Sequence, residues 1–168
     1  MPFDYAANVE AVRANIAAHN TTTANPYLGQ SLTAGTISTI RVDDPDVVAV
    51  NLNELPAVFI RIQSGDEEPS GLGATGPLAA NVQKFKTVVY EVVGLYHRDG
   101  MHTSHADHLT ELYQFAENLE GVFQAEFRLS NTALWCHPER TDFGSLITKD
   151  GGRVKAFVTT LRARYLFR

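Results

Sequence analysis

Disulfides, membrane spans and a basic surface are all missing from this chain of 168 residues. Its single cysteine, Cys136, excludes an internal disulfide and any multi-cysteine zinc site. No run approaches the ~18 consecutive apolar residues of a membrane span. The start, MPFDYAANVEAVRANIAAHN, has no basic opening followed by an apolar run, so it does not follow the pattern of a signal peptide. Lysine and arginine number 14 against 19 acids, a net charge of −5, with an isoelectric point near 5.6. That balance argues against a dedicated nucleic-acid binder, though it leaves room for a local basic patch. Internal repeats and low-complexity tracts are absent too. What is present is 44% hydrophobic, enough to bury a core, and the length suits one domain spanning 1–168.

The hydrophobic pattern predicts an α+β fold. Asp4 can cap a helix, and Tyr5, Val9, Val12 and Ile16 recur at helical spacing up to about residue 20. Residues 21–35 are polar and turn-rich. Short β-rich runs follow at 36–42 and 47–52, then LPAVFIRI at 55–62. Residues 63–82, rich in glycine and proline and acidic at their start, read as a long loop or a hairpin arm. KTVVYEVVGLYH (86–97) is apolar on both faces, which places it centrally in a sheet. A second helix is expected over 104–120, with Leu109, Leu112, Ala116 and Leu119 on one face. Gly121 is its natural stop, unless Phe123 and Phe127 continue the stripe. ALWCH (133–137) reads as a strand. SLITKDGGRVKAFVTTLRARYLF reads as a hairpin turning at Asp150-Gly151-Gly152. Phe157, Leu161, Ala163, Tyr165 and Phe167 share one face of its last strand, and Thr160, Arg162, Arg164 and Arg168 the other. The expected architecture is a mainly antiparallel sheet with two principal helices packed on it.

Three motifs stand in the order of a protein kinase: Gly71-Leu72-Gly73-Ala74-Thr75-Gly76, His97-Arg98-Asp99 and Asp142-Phe143-Gly144. Their contexts fail. Pro77 follows the glycine loop where a valine belongs, and Ser104 stands where magnesium needs asparagine. The glycine loop is no better as a dinucleotide fingerprint, because no strand leads directly into it and no helix opens on it. YHRDGMHTSHADHL (96–109) is the richest titratable stretch. His102, His105 and His108, with Asp99, are candidate metal ligands, since His105 and His108 lie three apart on a helix. The competing reading is a solvated helix start, with Ser104 and Asp107 forming a capping box. A third is a titratable contact with another subunit. Cys136 and His137 are adjacent strand residues pointing to opposite faces, which is unsuited to a nucleophile–base pair. Arg162 and Arg164 offer phosphate binding or, in an acidic chain, salt bridges to Asp66, Glu67 and Glu68 across strands or between subunits. No cofactor motif and no enzyme emerges from these residues.

The order of elements resembles the tail-terminator proteins of long-tailed bacteriophages and their relatives in the neck. The resemblance rests on the opening helix (4–20), LPAVFIRI, the long loop after it, VVYEVVGLY before a helix, and the closing KDGGRVKAFVTTLRARYLF. It implies a non-enzymatic virion protein, made in the host cytoplasm, that forms a ring, usually a homohexamer, on the last ring of the tail tube. Its partners would be further copies of itself, the tail-tube protein and the head-side connector, with DNA passing through without specific binding. On this resemblance Asp66, Glu67, Glu68, Arg162 and Arg164 become candidate ring contacts. The rival roles are a head-completion or adaptor protein of the neck, a tail-tube-like subunit, and, in another class, a small metal-dependent enzyme built on the 97–108 cluster.

Overall fold

A computed structural model describes residues 2–23, 25–30, 32, 35–43, 51–69, 84–97, 105–147 and 153–167. These form an α+β fold: a five-stranded, mostly antiparallel sheet carrying two helices. In chain order the elements are α1 (Tyr5–Ala18), β1 (Thr39–Val42), a 3-10 turn (Leu52–Glu54), β2 (Ala57–Pro69), β3 (Lys84–Tyr96), α2 (His105–Ala125), β4 (Trp135–Ile147) and β5 (Arg153–Phe167). The strand order is β1-β2-β3-β5-β4, so β3 is indeed central. Only β1 runs parallel to its neighbour.

Helix α1 starts where the sequence puts it, because the Asp4 carboxylate accepts the Ala7 N–H at 2.9 Å. It buries Val9, Val12 and Ile16 against the sheet. Helix α2 runs past the expected stop at Gly121 to Ala125. Its stripe continues through Val122 and Phe123, both fully buried, while Phe127 lies beyond the helix and is half exposed. Gly121 sits there for close approach rather than termination: a Cβ on it would stand 3.3 Å from Cγ of Pro26. The chain then reverses through Leu129, Ser130 and Asn131, all with positive φ (47°, 55° and 68°).

Three strand expectations need correction. Strand β2 does not end at Ile62 but continues through the acidic residues to Pro69, because Ser64–Pro69 pair with Lys84–Val89 of β3. Backbone pairing outweighed a composition poor in β-formers. Strand β4 is not confined to 133–137; it extends to Ile147 and takes in Asp142-Phe143-Gly144. Leu52, assigned to a strand over 47–52, opens a 3-10 turn, and 44–50 lie outside the described residues.

The main core lies between the sheet and the helices. Val58, Ile60, Val88, Tyr90, Val92, Phe157, Leu161, Ala163 and Tyr165 meet Leu112, Phe115, Leu119 and Phe123 there. Each large side chain so buried contributes about 1.5–3 kcal/mol. Two hydroxyls enter this core and satisfy each other, Tyr90 Oη and Tyr165 Oη standing 2.7 Å apart. Gly94 lies opposite Phe157, whose ring covers it. On the other side of the sheet, Ala57, Phe59, Val93, Leu95, Val154 and Ala156 form a second buried cluster at one end of the strands.

Candidate functional site

The other half of that outer sheet face is the most chemically varied surface of the described residues. Alternation places Asp66 and Glu68 of β2, Phe85, Thr87 and Glu91 of β3, Arg162 and Arg164 of β5, and Trp135 and His137 of β4 on it. Arg162 is exposed and Arg164 half buried. The register explains why these groups gather. Asp66 aligns with Thr87, Thr87 with Arg164, and Arg164 with Trp135, so one cross-strand row spans the sheet.

The row is knit by charge pairs. Arg164 donates to Glu68 at 3.0 Å, across the intervening β3, and its guanidinium lies 4.4 Å from the centre of the Phe85 ring. Arg162 pairs with Glu139 at 2.9 Å. Arg61 and Glu91 meet at 2.5 Å. Arg140 binds Asp142 two residues along its own strand at 2.8 Å. Salt bridging between the last strand and the acids of β2 therefore exists for Arg164 and Glu68. Glu67 turns to the helix side and pairs with Lys84 at 2.7 Å, a hydrogen bond that holds its carboxyl below the usual range. Glu139 as the partner of Arg162 was invisible in sequence, because a bulge between Pro138 and Arg140 shifts the register there. With its cations matched to acids, this face suits passing contact with a polyanion better than tight phosphate binding.

The sheet's two sides carry a second feature. Strand β1 covers only Ala57–Ile60 of β2, so among the described residues no strand pairs with the outer edge of β2 from Ile62 onward. On the far side β4 is the last strand, and among the described residues its outward backbone bond, from Cys136 N–H to Phe127 O at 2.6 Å, lies at its start. Beyond that bond β4 is an edge carrying Pro138 and a bulge, both devices that discourage indiscriminate pairing. Exposed apolar side chains flank both edges on the helix side: Ile62 and Val42 at β2, and Phe143 with Tyr113 at β4, the last two in edge-to-face contact at 4.8 Å.

No reaction centre is assembled among the described residues. Cys136 is fully buried and burial pushes its thiol up to about 12, while His137 points to the opposite, exposed face. Among the described residues no three His, Cys, Asp or Glu side chains stand together as a metal site. Of the histidine cluster, Asp99 and His102 lie outside the described residues, and His105 and His108 are described only as backbone in the first turn of α2. Ser104, and with it the capping box, also lies outside them. So do Arg168, residues 70–82 of the expected loop, the glycine motif 71–76, and Arg98 and Asp99 of the second kinase-like motif. Asp142-Phe143-Gly144 is ordinary edge strand. A shallow cavity of about 270 Å³ between Phe3, Asn8, Thr132 and Phe167 is mainly apolar, and the Asp4 carboxylate at its rim is engaged as the α1 cap. No helix of the described residues is long and apolar enough to cross a membrane. Compared with protein-family models and with curated proteins, the sequence matches none.

Proposed function

We propose that this protein is a structural assembly subunit of the tail-terminator kind. Copies join into a ring, hexameric by the resemblance to that family, which stops a tail tube and presents a surface to the head-side connector. The observation that carries the reading is that, among the described residues, the sheet is open along both sides: β2 from Ile62 onward and β4 beyond Cys136. A subunit with two different open edges associates head to tail, and head-to-tail association closes into a ring when the rotation fits. The ion-paired outer face and the net charge of −5 suit a channel through which DNA slides without being gripped. Its place is the virion, at the tail or neck, and its role is non-enzymatic.

The test is imaging and native mass of the purified protein, alone and with tail tubes. Rings with a central hole that bind tube ends and halt elongation are expected. A monomer at all concentrations that ignores tube ends refutes the proposal. Unlimited stacking into tubes indicates a tube-type subunit, and binding to the connector alone indicates a neck adaptor.

A further inference from the structure

Which surfaces of two copies meet, and in what register, follows from the directions and the chemistry of the two edges; this rests on the ring reading above. We infer that β4 of one copy adds antiparallel to the open stretch of β2 of the next, with Phe143 opposite Ile62 and Arg140 opposite Asp66.

Direction comes first. β2 is antiparallel to β3, β3 to β5 and β5 to β4, so β2 and β4 run oppositely within one subunit. Copies related by rotation about an axis lying roughly along the strands keep that relation, and the joint between them is antiparallel.

Next is which residues turn their backbone outward. In an antiparallel ladder alternate residues turn both groups to the same side. Ile60 turns its carbonyl outward, where it accepts the Asp43 N–H at 3.1 Å. Ile62 therefore also faces outward and, past the register shift at Gln63, so do Gly65 and Glu67. On β4 the Cys136 N–H points outward to Phe127, so Pro138 and, past its own shift at Glu139, Thr141 and Phe143 face outward. β2 thus offers Ile62, Gly65 and Glu67 with one bulge after Ile62, and β4 offers the Pro138 carbonyl, Thr141, Phe143 and Ser145 with one bulge after Pro138. Setting Ile62 against Phe143 brings Gly65 to Thr141 and Glu67 to Pro138, with the extra residue of β2 and the extra residue of β4 falling in successive steps of the ladder, so that the two shifts cancel.

Side chains then select this register from its neighbours. On the helix side Ile62 and Phe143, exposed by 36% and 49%, cover each other. On the outer face Asp66 meets Arg140, whose side chain is 73% exposed, and Glu68 meets His137. A slip by two residues one way runs Phe143 against Ile60, whose carbonyl Asp43 already occupies. A slip by two the other way sets Asp66 against Asp142, like charge on like. A slip by one turns every side chain to the wrong face. Strand β1 is thereby a stop that fixes where the neighbour's strand can begin.

The experiment is charge reversal with rescue, read by sedimentation and native mass on the full chain. Asp66→Arg and Arg140→Asp are each expected to weaken assembly at least tenfold, and the double variant to restore it to within about threefold. In parallel, Ile62→Cys combined with Phe143→Cys should give a ladder of covalent oligomers on oxidation. Directly opposed Cα atoms lie ~5.5 Å apart, within disulfide reach. The two positions sit on opposite edges of one sheet, so the bond cannot form within a subunit. Rings that persist in both single charge variants, or that yield no such ladder, overturn this register and leave the ring reading standing. A wild-type chain that never assembles overturns both.

Discussion

The pairing of Gly94 with Phe157 makes a sharp prediction about the core. A methyl carbon on Gly94 would stand 2.9 Å or less from Cζ, Cε1 and Cε2 of the Phe157 ring. Ordinary carbon contacts lie at about 3.5–4.0 Å, so Gly94→Ala must push the ring aside. The ring has nowhere to go: it is fully buried, with Phe115 edge-on at 5.0 Å and Phe143 at 6.4 Å. Overpacking of this kind costs about 1–3 kcal/mol. Phe157→Ala, by contrast, leaves a cavity and costs about 3–5 kcal/mol. In that background the new methyl enters vacated space, and alanine is the better strand residue by about 0.5–1 kcal/mol. The two substitutions should therefore couple by about 2–3 kcal/mol, with Gly94→Ala harmful alone and neutral or helpful beside Phe157→Ala. Urea unfolding of the four proteins measures this directly. Equal cost of Gly94→Ala in both backgrounds would show that the ring does not rest on this glycine.

Two further outcomes concern the buried thiol and the left-handed turn. Cys136 ionises near 9.0 in an unfolded chain but only at about 12 in the fold, because burial disfavours the thiolate. Below pH 9 both states keep the proton and the contribution is complete. Above it the unfolded state alone loses the proton, so stability should fall by ~1.4 kcal/mol per pH unit towards pH 12. Between pH 9 and 10, where unfolded-state tyrosines begin to add a slope of the same sign, Cys136→Ala should make the slope shallower than in the wild type in urea titrations; an unchanged slope would count against the buried thiol. Ser130 is exposed with φ at 55° and keeps only a backbone bond, its N–H to Glu126 Oε1 at 3.2 Å. Ser130→Val should therefore melt below Ser130→Gly, a difference of about 1–2 kcal/mol, and equal melting points would argue that the turn is not left-handed there.

How much of this could be read from the sequence depended on which force decided each element. Helix α1, the central β3 and the alternating β5 follow from patterns a few residues long: a capping aspartate, an apolar run on both faces, a strict period of two. The acidic end of β2 is different. Gln63 to Pro69 has neither β-branched residues nor an apolar alternation, and it is a strand because β3 beside it is long enough to pair with it. Its role is tertiary, and local pattern carries no trace of it. Gly121 left the end of α2 open between two readings for a related reason. A glycine after a helical stripe reads as a stop, but here it makes room for Pro26, which lies far away in sequence. The chemical surface was half legible. The opposed charges of β2 and β5 predicted the Arg164–Glu68 pair, whereas a bulge that no residue announces supplied Glu139 to Arg162.

The exposed ion pairs raise a last question, since pairs that solvated add little to fold stability. Their placement is better explained by what they prevent. An open strand is a template for any other strand, and among the described residues this sheet has two. On β2 three consecutive acids, Asp66, Glu67 and Glu68, line the open stretch and make pairing with a second β2 repulsive. On β4 the proline and the bulge interrupt the ladder, so a straight strand cannot add along its whole length. Edge residues chosen only against aggregation would be uniformly charged on both sides. Instead β4 presents Arg140 and His137 where β2 presents acids, and each edge carries one exposed apolar residue at the matching position. The two edges therefore repel their own kind and fit each other, which is the asymmetry that head-to-tail closure requires and that a merely soluble monomer does not.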